Sequence, residues 1–227
     1  SRMLPISLFI EEGEERVFLH FFDCQGLPLE RARERKLEHA LLQGEFRRVR
    51  ARQVGQMERL ELTRRQWADQ VAAAASLGHP ALRRVTVAVE GNGPDDRAIR
   101  AVLLSLGCQV EDRWRPGIPA FRASHGGFCL TAQDERGAIL DSSQLLALVA
   151  LIEMENGSGR LAVPSGASAA VDLVAAGYDG TVLRLDRDGK PARDLYAAQP
   201  WFWSAPSAAA RICARMGVSG QKLDALI

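Results

Sequence analysis

The chain has 227 residues, of which 47% are hydrophobic and 25% are charged. This composition supplies sizeable cores and excludes wholesale disorder, and the length predicts more than one compact unit. Lysine and arginine number 29 against 28 aspartates and glutamates, and the net charge of +1 predicts neither a nucleic acid nor a membrane surface as the main partner.

The first part of the chain predicts one strand and two helices. Residues 17–22 (VFLHFF) form a short apolar run that ends in the turn sequence DCQG, which is typical of a strand. Apolar residues then recur at helical spacing over residues 28–42, and Gly44 stops this predicted helix. A second helix is predicted over residues 63–76, ahead of a Gly-His-Pro breaker.

A βαβ unit follows. Residues 85–89 (VTVAV) have the composition and the length of a buried strand. A helix begins at Asp95 or Asp96 and ends at Gly107, and residues 108–110 start the next strand. Two strands joined by a helix predict parallel pairing with a right-handed crossover.

The rest of the chain predicts a hairpin, a helix and a second βαβ unit. The hairpin pairs residues 128–132 with residues 138–140, and the next helix is capped near Ser142 or Ser143. The boundary between two α/β units is expected near residues 116–138. The second βαβ unit and the helical material after it comprise residues 161–163, 167–176, 181–185 and 205–216.

The four cysteines, Cys24, Cys108, Cys129 and Cys213, are widely spaced, and no CxxC pair occurs. This spacing predicts neither a zinc knuckle nor a thioredoxin-like redox site. Cys108 and Cys129 lie in apolar runs and are predicted to be small buried hydrophobes. No segment approaches the roughly 18 consecutive apolar residues of a membrane helix. We therefore expect a protein of the reducing cytoplasm.

Two motifs resemble chemical sites but favour simpler interpretations. Gly91-Asn92-Gly93 lies between a strand and a helix, but Asp96 stands where a dinucleotide fingerprint needs its third glycine. Ser124 and His125 lack a G-x-S-x-G elbow, and neighbours on a strand point in opposite directions. We predict a plain strand-to-helix loop and a structural segment.

Two further clusters are also predicted to be structural. Asp134 and Glu135 have hairpin-turn composition, and with Asp141 they form a poor cage for a hard cation, which needs several convergent oxygens. Trp201 and Trp203 form an aromatic patch after Pro200, which is more typical of a core or an interface than of a ligand platform.

Residues 21–55 carry the most specific resemblance to a known family. They contain FFD, then a helix with RKLE, then FRR and a glycine. This order resembles the end of domain I in the α-D-phosphohexomutases (the phosphomannomutase/phosphoglucomutase family), especially those fused behind sugar-1-phosphate nucleotidyltransferases. Residues 83–110 resemble a shortened domain II, and residues 139–184 resemble domain III.

The resemblance implies an α/β fold with two or more three-layer α/β units and mostly parallel sheets, as in the phosphohexomutases. It divides the chain into three parts. Residues 1–80 would be a remnant of domain I plus a linking helix, and residues 81–118 a shortened domain II-like βαβ unit. Residues 119–227 would be a domain III-like α/β unit with C-terminal helices.

The resemblance also implies chemistry that this chain lacks. Phosphohexomutases move phosphate between the 1- and 6-positions of a hexose through a phosphoserine, with Mg²⁺ held by a D-G-D-x-D-R loop. No T-A-S-H-N-P loop precedes Val17, and residues 122–127, where the metal loop should fall, contain no carboxylate. No G-E-x-S-G-H sugar loop lies between Arg184 and Ser204. Without charge to neutralise the transferring phosphoryl oxygens, we expect no mutase activity, no recognisable Mg²⁺ site and no other cofactor.

Three functions remain open. The first is a degenerate mutase-like module with a structural or regulatory role in sugar-phosphate or nucleotide-sugar metabolism, acting beside a sugar nucleotidyltransferase domain or subunit or as a homo-oligomer. The second is a module that binds a hexose phosphate without catalysis, and the third is a fragment of an active mutase. We favour the first. The candidate residues for hexose phosphate binding are Arg122, His125, Arg136 and Arg184.

Overall fold

The computed structural model of the protein describes residues 6–12, 16–24, 29–44, 62–76, 84–124, 129–185 and 204–227. The strands in these ranges are β1 Ile6–Glu12, β2 Val17–Asp23, β3 Thr86–Val89, β4 Gln109–Glu111, β5 Ala120–Ser124, β6 Cys129–Gln133, β7 Ile139–Leu140, β8 Arg160–Pro164 and β9 Thr181–Leu185. The helices are α1 Arg31–Gln43, α2 Leu62–Ser76, α3 Pro94–Ser105, α4 Ser142–Glu155, α5 Ala170–Gly177 and α6 Ala205–Ser219, followed by a 3₁₀ helix, Leu223–Ala225. The predicted α/β class is confirmed.

The first predicted βαβ unit is confirmed, because β3 and β4 pair in parallel on either side of α3 in the chain. Val87 and Val89 of β3 are completely buried, as the apolar composition of this strand predicts. Gly107 adopts a φ of +90°, which a glycine reaches without strain, and it turns the chain out of α3. The backbone N–H of Cys108 then donates to the carbonyl of Leu103 at 3.0 Å as the chain enters β4.

These strands belong to a five-stranded sheet with the order β4-β3-β5-β6-β7. Strand β5 is parallel to β3, with Ala120 opposite Ala88, whereas β6 and β7 continue the sheet antiparallel. The predicted hairpin is therefore confirmed as β6 and β7. The predicted boundary between the units 81–118 and 119–227 separates β3 from β5, and these two strands pair within this one sheet.

Two strands, β1 and β5, have no counterpart in the sequence-based prediction. Strand β1 pairs antiparallel with β2 over its whole length, with Ile10 opposite Leu19. Strand β5 has the sequence AFRAS, which includes Arg122. It follows a connection rich in proline and glycine and is itself followed by two glycines, and such surroundings are typical of a loop. Its strand conformation comes from pairing with β3 and β6 on both sides, so tertiary context overrides local propensity.

The two faces of the five-stranded sheet are packed differently. Phe121 and the buried valines of β3 join the main hydrophobic core, which also contains apolar side chains of α2, α3, α4 and α6. Alternate residues of a strand point to opposite faces. Ala88 and Ala120 accordingly form a separate small cluster with Ile118 and Trp114.

A buried ion pair joins α4 to α6. Nη1 of Arg211 lies 2.5 Å from Oε1 of Glu153, and these side chains are 9% and 10% exposed. The hydroxyl of Ser158 donates to Oε2 of Glu153 at 3.1 Å. Among the described groups, Oε1 of Glu153 and Nε of Arg211 find no partner with hydrogen-bond geometry, and burial lowers the pKa of Arg211. The pair therefore combines close charge contact with incomplete hydrogen bonding, the arrangement in which losing one partner is most harmful.

The cap of helix α4 is Asp141, one residue before Ser142. Oδ1 of Asp141 accepts from the backbone N–H groups of Ser143 and Gln144 at 2.7 and 2.8 Å. Oε1 of Gln144 accepts from the backbone N–H of Asp141 at 3.0 Å, which completes a capping box. The predicted cap near Ser142 or Ser143 is confirmed to within one residue, because the carboxylate just before them reaches both free N–H groups.

The second predicted βαβ unit is confirmed by parallel pairing of β8 with β9, in which Leu161 lies opposite Val182. Leu161 and Val163 are completely buried. Helix α5 begins three residues later than predicted, because the hydroxyl of Ser168 accepts from the backbone N–H of Ala170 and ends the preceding loop there.

The predictions of cysteine burial have different outcomes. Cys108 is buried, as predicted, but Cys129 is exposed. Cys129 is the first residue of β6 and pairs with Ser124 at the end of the β5–β6 hairpin, so the apolar run around it does not place it in the core. In the part of the chain that the structure describes, no helix has the length and apolar character to cross a membrane.

Candidate functional site

Arg122 lies on β5 opposite Thr131 of β6, and both residues are exposed. Its neighbours Phe121 and Ala123 are buried on the opposite face of the sheet. The guanidinium of Arg122 has no hydrogen bond or ion pair with any described residue. An exposed cation of this kind needs other convergent donors to bind an anion tightly.

Arg136 lies in the turn between β6 and β7 and is engaged by another part of the chain. Its Nε lies 2.8 Å from Oδ2 of Asp224 in the 3₁₀ helix, and its side chain is 81% exposed. The turn is held by Asp134, whose Oδ1 accepts from the backbone N–H groups of Arg136 and Ala138 at 2.9 and 2.8 Å. Arg136 thus has a structural partner and points toward the C-terminal segment.

Arg184 is also engaged within its own unit. Its Nη1 donates to the carbonyls of Ser165 and Ala167 at 3.1 and 2.7 Å, and its Nη2 pairs with the carboxylate of Asp172. These contacts tie β9 to the loop after β8 and to α5. The guanidinium that was predicted to bind phosphate is instead used to satisfy loop carbonyls.

The structure therefore does not assemble the four predicted binding residues into one basic site. No described residue pairs with Arg122, whereas Arg136 pairs with the 3₁₀ helix and Arg184 contacts the loop after β8 and Asp172. His125 lies outside the described residues, as do Trp201 and Trp203 of the predicted contact surface.

Glu135 has a role that the sequence analysis missed. It is only 5% exposed, and its Oε1 and Oε2 accept from the backbone N–H groups of Leu223 and Asp224 at 2.8 and 3.1 Å. Its carboxylate thus caps the 3₁₀ helix from across the fold. No local pattern could reveal this contact, because Glu135 and Leu223 are 88 positions apart in the chain.

The acidic residues do not fit a Mg²⁺ ion. Asp134, Glu135 and Asp141 each use their carboxylates to accept from backbone N–H groups, which is a structural role rather than the role of a metal ligand. Across the described ranges, no group of three or more His, Cys, Asp or Glu side chains is placed to hold a metal ion.

The loop between β3 and α3 is filled by a protein side chain. The buried carboxylate of Asp96 accepts from the backbone N–H of Gly93 and from that of Ala123 in β5, both at 3.1 Å. Gly91 has a φ of +105°, and a Cβ there would collide with Oδ2 of Asp96. Gly91 therefore makes room for Asp96, whose carboxylate takes up the backbone N–H of Gly93 in this loop.

A cavity of about 340 Å³ lies near the carboxyl ends of β5 and β8, the edge where α/β sheets usually bind ligands. Its walls come from the start of β6, the starts of α4 and α6, and the loop after β8. The residues with polar side chains in these walls are Cys129, Ser142, Ser143, Ser168 and Ser204.

The cavity carries no charge from the described residues that line it, which are apolar, glycine, serine or cysteine. Side-chain oxygens already accept from backbone N–H groups at the helix starts around it: Asp141 accepts from α4, Ser204 accepts from Ser207 of α6 at 3.3 Å, and Ser168 accepts from Ala170 of α5. Among the described lining residues a doubly charged phosphate would meet hydroxyls but no cation, and the carboxylate of Asp141 opposes a negative charge at α4.

The chain was compared with family models, curated proteins and solved structures. No family model matches the chain, and no curated protein matches it. Solved structures do match it. A protein described as a phosphomannomutase, from Thermus thermophilus, aligns with a TM-score of 0.71 and 14% identity over 92% of this chain and 58% of that chain. A phosphoglucomutase/phosphomannomutase family protein from Burkholderia thailandensis aligns with a TM-score of 0.67 and 14% identity over 92% of this chain and 55% of that chain.

An identity of 14% establishes likeness of fold alone. The chain spans less than two thirds of the length of either structure. The chain has the α/β fold seen in these phosphomannomutase and phosphoglucomutase structures.

Proposed function

We propose that this chain is a degenerate module of the phosphohexomutase fold, without mutase activity, that has a structural or regulatory role linked to sugar-phosphate or nucleotide-sugar metabolism. The support from the fold is the alignment over 92% of the chain with a protein described as a phosphomannomutase. The fold by itself does not fix the activity, because one fold hosts many functions. The proposal therefore rests on the residues at the site.

The observation that carries the proposal is the chemistry of the β5–β6 hairpin. Residues 122–127, where the resemblance places the metal loop, read RASHGG and contain no carboxylate. The nearest acidic residues along the chain, Asp134 and Glu135, use their oxygens to accept from backbone N–H groups. Phosphoryl transfer depends on positioned positive charge around the transferring group, and these residues supply no ligands for a metal that would provide it.

The contacts of two of the candidate arginines also argue against a phosphate-binding site. Arg136 and Arg184 already neutralise Asp224 and Asp172. Releasing either guanidinium for a phosphate would leave a carboxylate, or several carbonyls, without its partner. The described residues that line the cavity beside Cys129 carry no charge that would replace these two guanidinium groups.

The proposal is tested by assaying interconversion of the 1- and 6-phosphates of glucose and mannose, with and without Mg²⁺. A competent phosphoglucomutase serves as the positive control, and intact-protein mass spectrometry checks for a phosphorylated serine. We expect no turnover above buffer and no phosphoprotein. Turnover that depends on Mg²⁺ would overturn the proposal and favour a fragment of a working mutase.

The second candidate function is binding of a hexose phosphate without catalysis, which is favoured by the exposed guanidinium of Arg122, since no described residue pairs with it. Its test is an amide chemical-shift titration with mannose 1-phosphate and glucose 1-phosphate, with and without Mg²⁺. Saturable shifts between Arg122 and Arg136 that disappear in Arg122→Gln, but persist in a variant of the exposed Arg97, would establish this function. Absence of shifts at millimolar ligand would leave the structural role.

A structural role needs a partner, which we propose to be a sugar nucleotidyltransferase domain or subunit, or a second copy of this chain. The apolar patch of Trp201 and Trp203 is the proposed contact. Sedimentation of the purified protein, alone and mixed with such an enzyme, distinguishes the two. A protein that sediments as a monomer in both samples would contradict both partners.

A further inference from the structure

The cavity near the carboxyl ends of β5 and β8 has a largely apolar wall. Helix α4 contributes Leu145 and Val149, which are only 5% and 4% exposed, and Leu146, which is half-buried. Leu130 of β6 and Ala208 of α6 are also half-buried, and both pack against the main hydrophobic core. The cavity therefore opens onto side chains that belong to the core or pack against it, and an apolar group placed there would shield them from water.

Two serine hydroxyls supply hydrogen-bond donors in the same wall. Oγ of Ser168 accepts from the backbone N–H of Ala170 at 3.2 Å, and Oγ of Ser204 accepts from that of Ser207 at 3.3 Å. A serine hydroxyl also has one hydrogen to donate, and neither of these two hydroxyls donates to a described residue. Each can therefore donate to an oxygen atom of a ligand.

The dimensions of the cavity indicate a ligand of modest size. Its volume of about 340 Å³ lies at the lower end of the roughly 300–1,000 Å³ of small-molecule sites. Its walls come from β6, α4, α6 and the loop after β8, which are distant segments of the chain. A pocket that combines apolar walls with a few polar groups from different elements is the usual form of a small-molecule site.

We propose that this cavity binds a small uncharged molecule that has an apolar body and a carbonyl or hydroxyl oxygen. The apolar body would contact the leucine and valine side chains of α4, and the oxygen would accept from Ser168 or Ser204. The carboxylate of Asp141, at the start of the same helix, would repel a negatively charged ligand. The inference goes beyond the proposed function and is independent of it, because it needs neither a phosphate nor a protein partner.

The first measurement is a titration of the whole protein with two probes of similar shape. The probe 4-methylphenol is uncharged at neutral pH, whereas 4-methylbenzoate is an anion. The methyl signals of Leu145 and Val149 are followed by NMR, and Leu104 of α3, which is 56% exposed and lies outside the cavity wall, reports non-specific effects. We expect saturable shifts at Leu145 and Val149 with 4-methylphenol, no shift at Leu104, and a weaker response to 4-methylbenzoate.

The second measurement uses Cys129, whose exposed thiol lies in the cavity wall. Bound 4-methylphenol should slow alkylation of this thiol by iodoacetamide by about tenfold when the probe is at about ten times its Kd, because only about one site in eleven is then empty. Cys24 is also exposed but does not line the cavity, so its alkylation rate should stay unchanged.

Variants that fill the cavity provide the control. Ala208→Phe and Leu146→Trp add bulk from two different helices, so that one folded variant is sufficient. Either should abolish both the shifts and the protection of Cys129, whereas Leu104→Trp should retain them. Absence of saturable shifts and of protection with both probes at millimolar concentration, or their persistence in a folded filled variant, would overturn the proposal. Equal or tighter binding of 4-methylbenzoate would overturn the uncharged ligand class.

Discussion

The carboxylate of Asp96, in the first turn of α3, holds the backbone N–H of Ala123 in β5. One buried side chain thus sets both the start of a helix and the position of the strand that leads into residues 125–128. Asp96 ties the strand-to-helix loop to the end of β5. This contact anchors Ala123, which lies in residues 122–127, the segment where the family resemblance places the metal loop.

Replacement of Gly91 by alanine should destabilise the protein because of this carboxylate. Gly117 is a matched control, since it has a similar positive φ of +94° but nothing within 4 Å of its Cβ position, whereas a Cβ on Gly91 would overlap Asp96. We expect about 1 kcal/mol for Gly117→Ala and about 2–4 kcal/mol for Gly91→Ala in urea denaturation. Equal losses for the two variants would show that Gly91 is required for its positive φ and not for the space that Asp96 occupies.

The ion pair between Glu153 and Arg211 predicts a strongly non-additive double-mutant cycle. Either Arg211→Met or Glu153→Met leaves a buried, uncompensated charge and should lower the free energy of unfolding by about 3–5 kcal/mol. The double variant should recover most of this loss, because two apolar side chains then pack where two charges were. Additive losses in chemical denaturation would contradict a coupled pair.

Truncation of Glu135 should loosen the C-terminal segment selectively. Glu135→Ala removes the acceptor of the Leu223 and Asp224 N–H groups, and we expect a loss of about 2–3 kcal/mol. Hydrogen exchange should accelerate at these two amides before it does in β3. The control Arg136→Ala should cost less than about 1 kcal/mol, because its side chain is 81% exposed. Unchanged protection of Leu223 would refute the capping role.

Substitution of Arg184 should lower the stability of the protein, whereas substitution of Arg122 should leave it almost unchanged. Arg184→Met removes hydrogen bonds to the carbonyls of Ser165 and Ala167 and should lower stability by about 1–2 kcal/mol. Arg122→Met touches no described partner and should stay within about 0.5 kcal/mol of the parent. Thermal unfolding of both variants measures this difference in stability. A larger loss of stability for Arg122→Met than for Arg184→Met would contradict the structural role given to Arg184.

The parts of the fold that follow from local pattern could be predicted from the sequence. An apolar run such as β3 and a glycine stop such as Gly44 after α1 act over a few residues, so the strand and the helix end appear in the structure as predicted. Strand β5 could not be predicted, because its conformation depends on neighbours that are distant in the chain.

The candidate site was harder to predict than the fold for the same reason. A sequence shows that Arg136 and Arg184 are basic, but not that Asp224 and Asp172 already neutralise them. It shows that Glu135 lies in a turn, but not that its carboxylate is buried against Leu223. Charge pattern indicates which groups could bind an anion, and only three-dimensional contacts decide which of them are free.

The hydrogen bond from Leu223 to Glu135 also has a consequence for the order of folding. The buried carboxylate finds its donors only after the chain has continued for 88 positions, and α6 must dock on the sheet in the same interval. During synthesis the part of β5 and β6 that α6 covers would therefore stay exposed until α6 has left the ribosome. Long-range closure of this kind slows folding, and we expect the nascent chain to be a client of chaperones that shield apolar sheet faces.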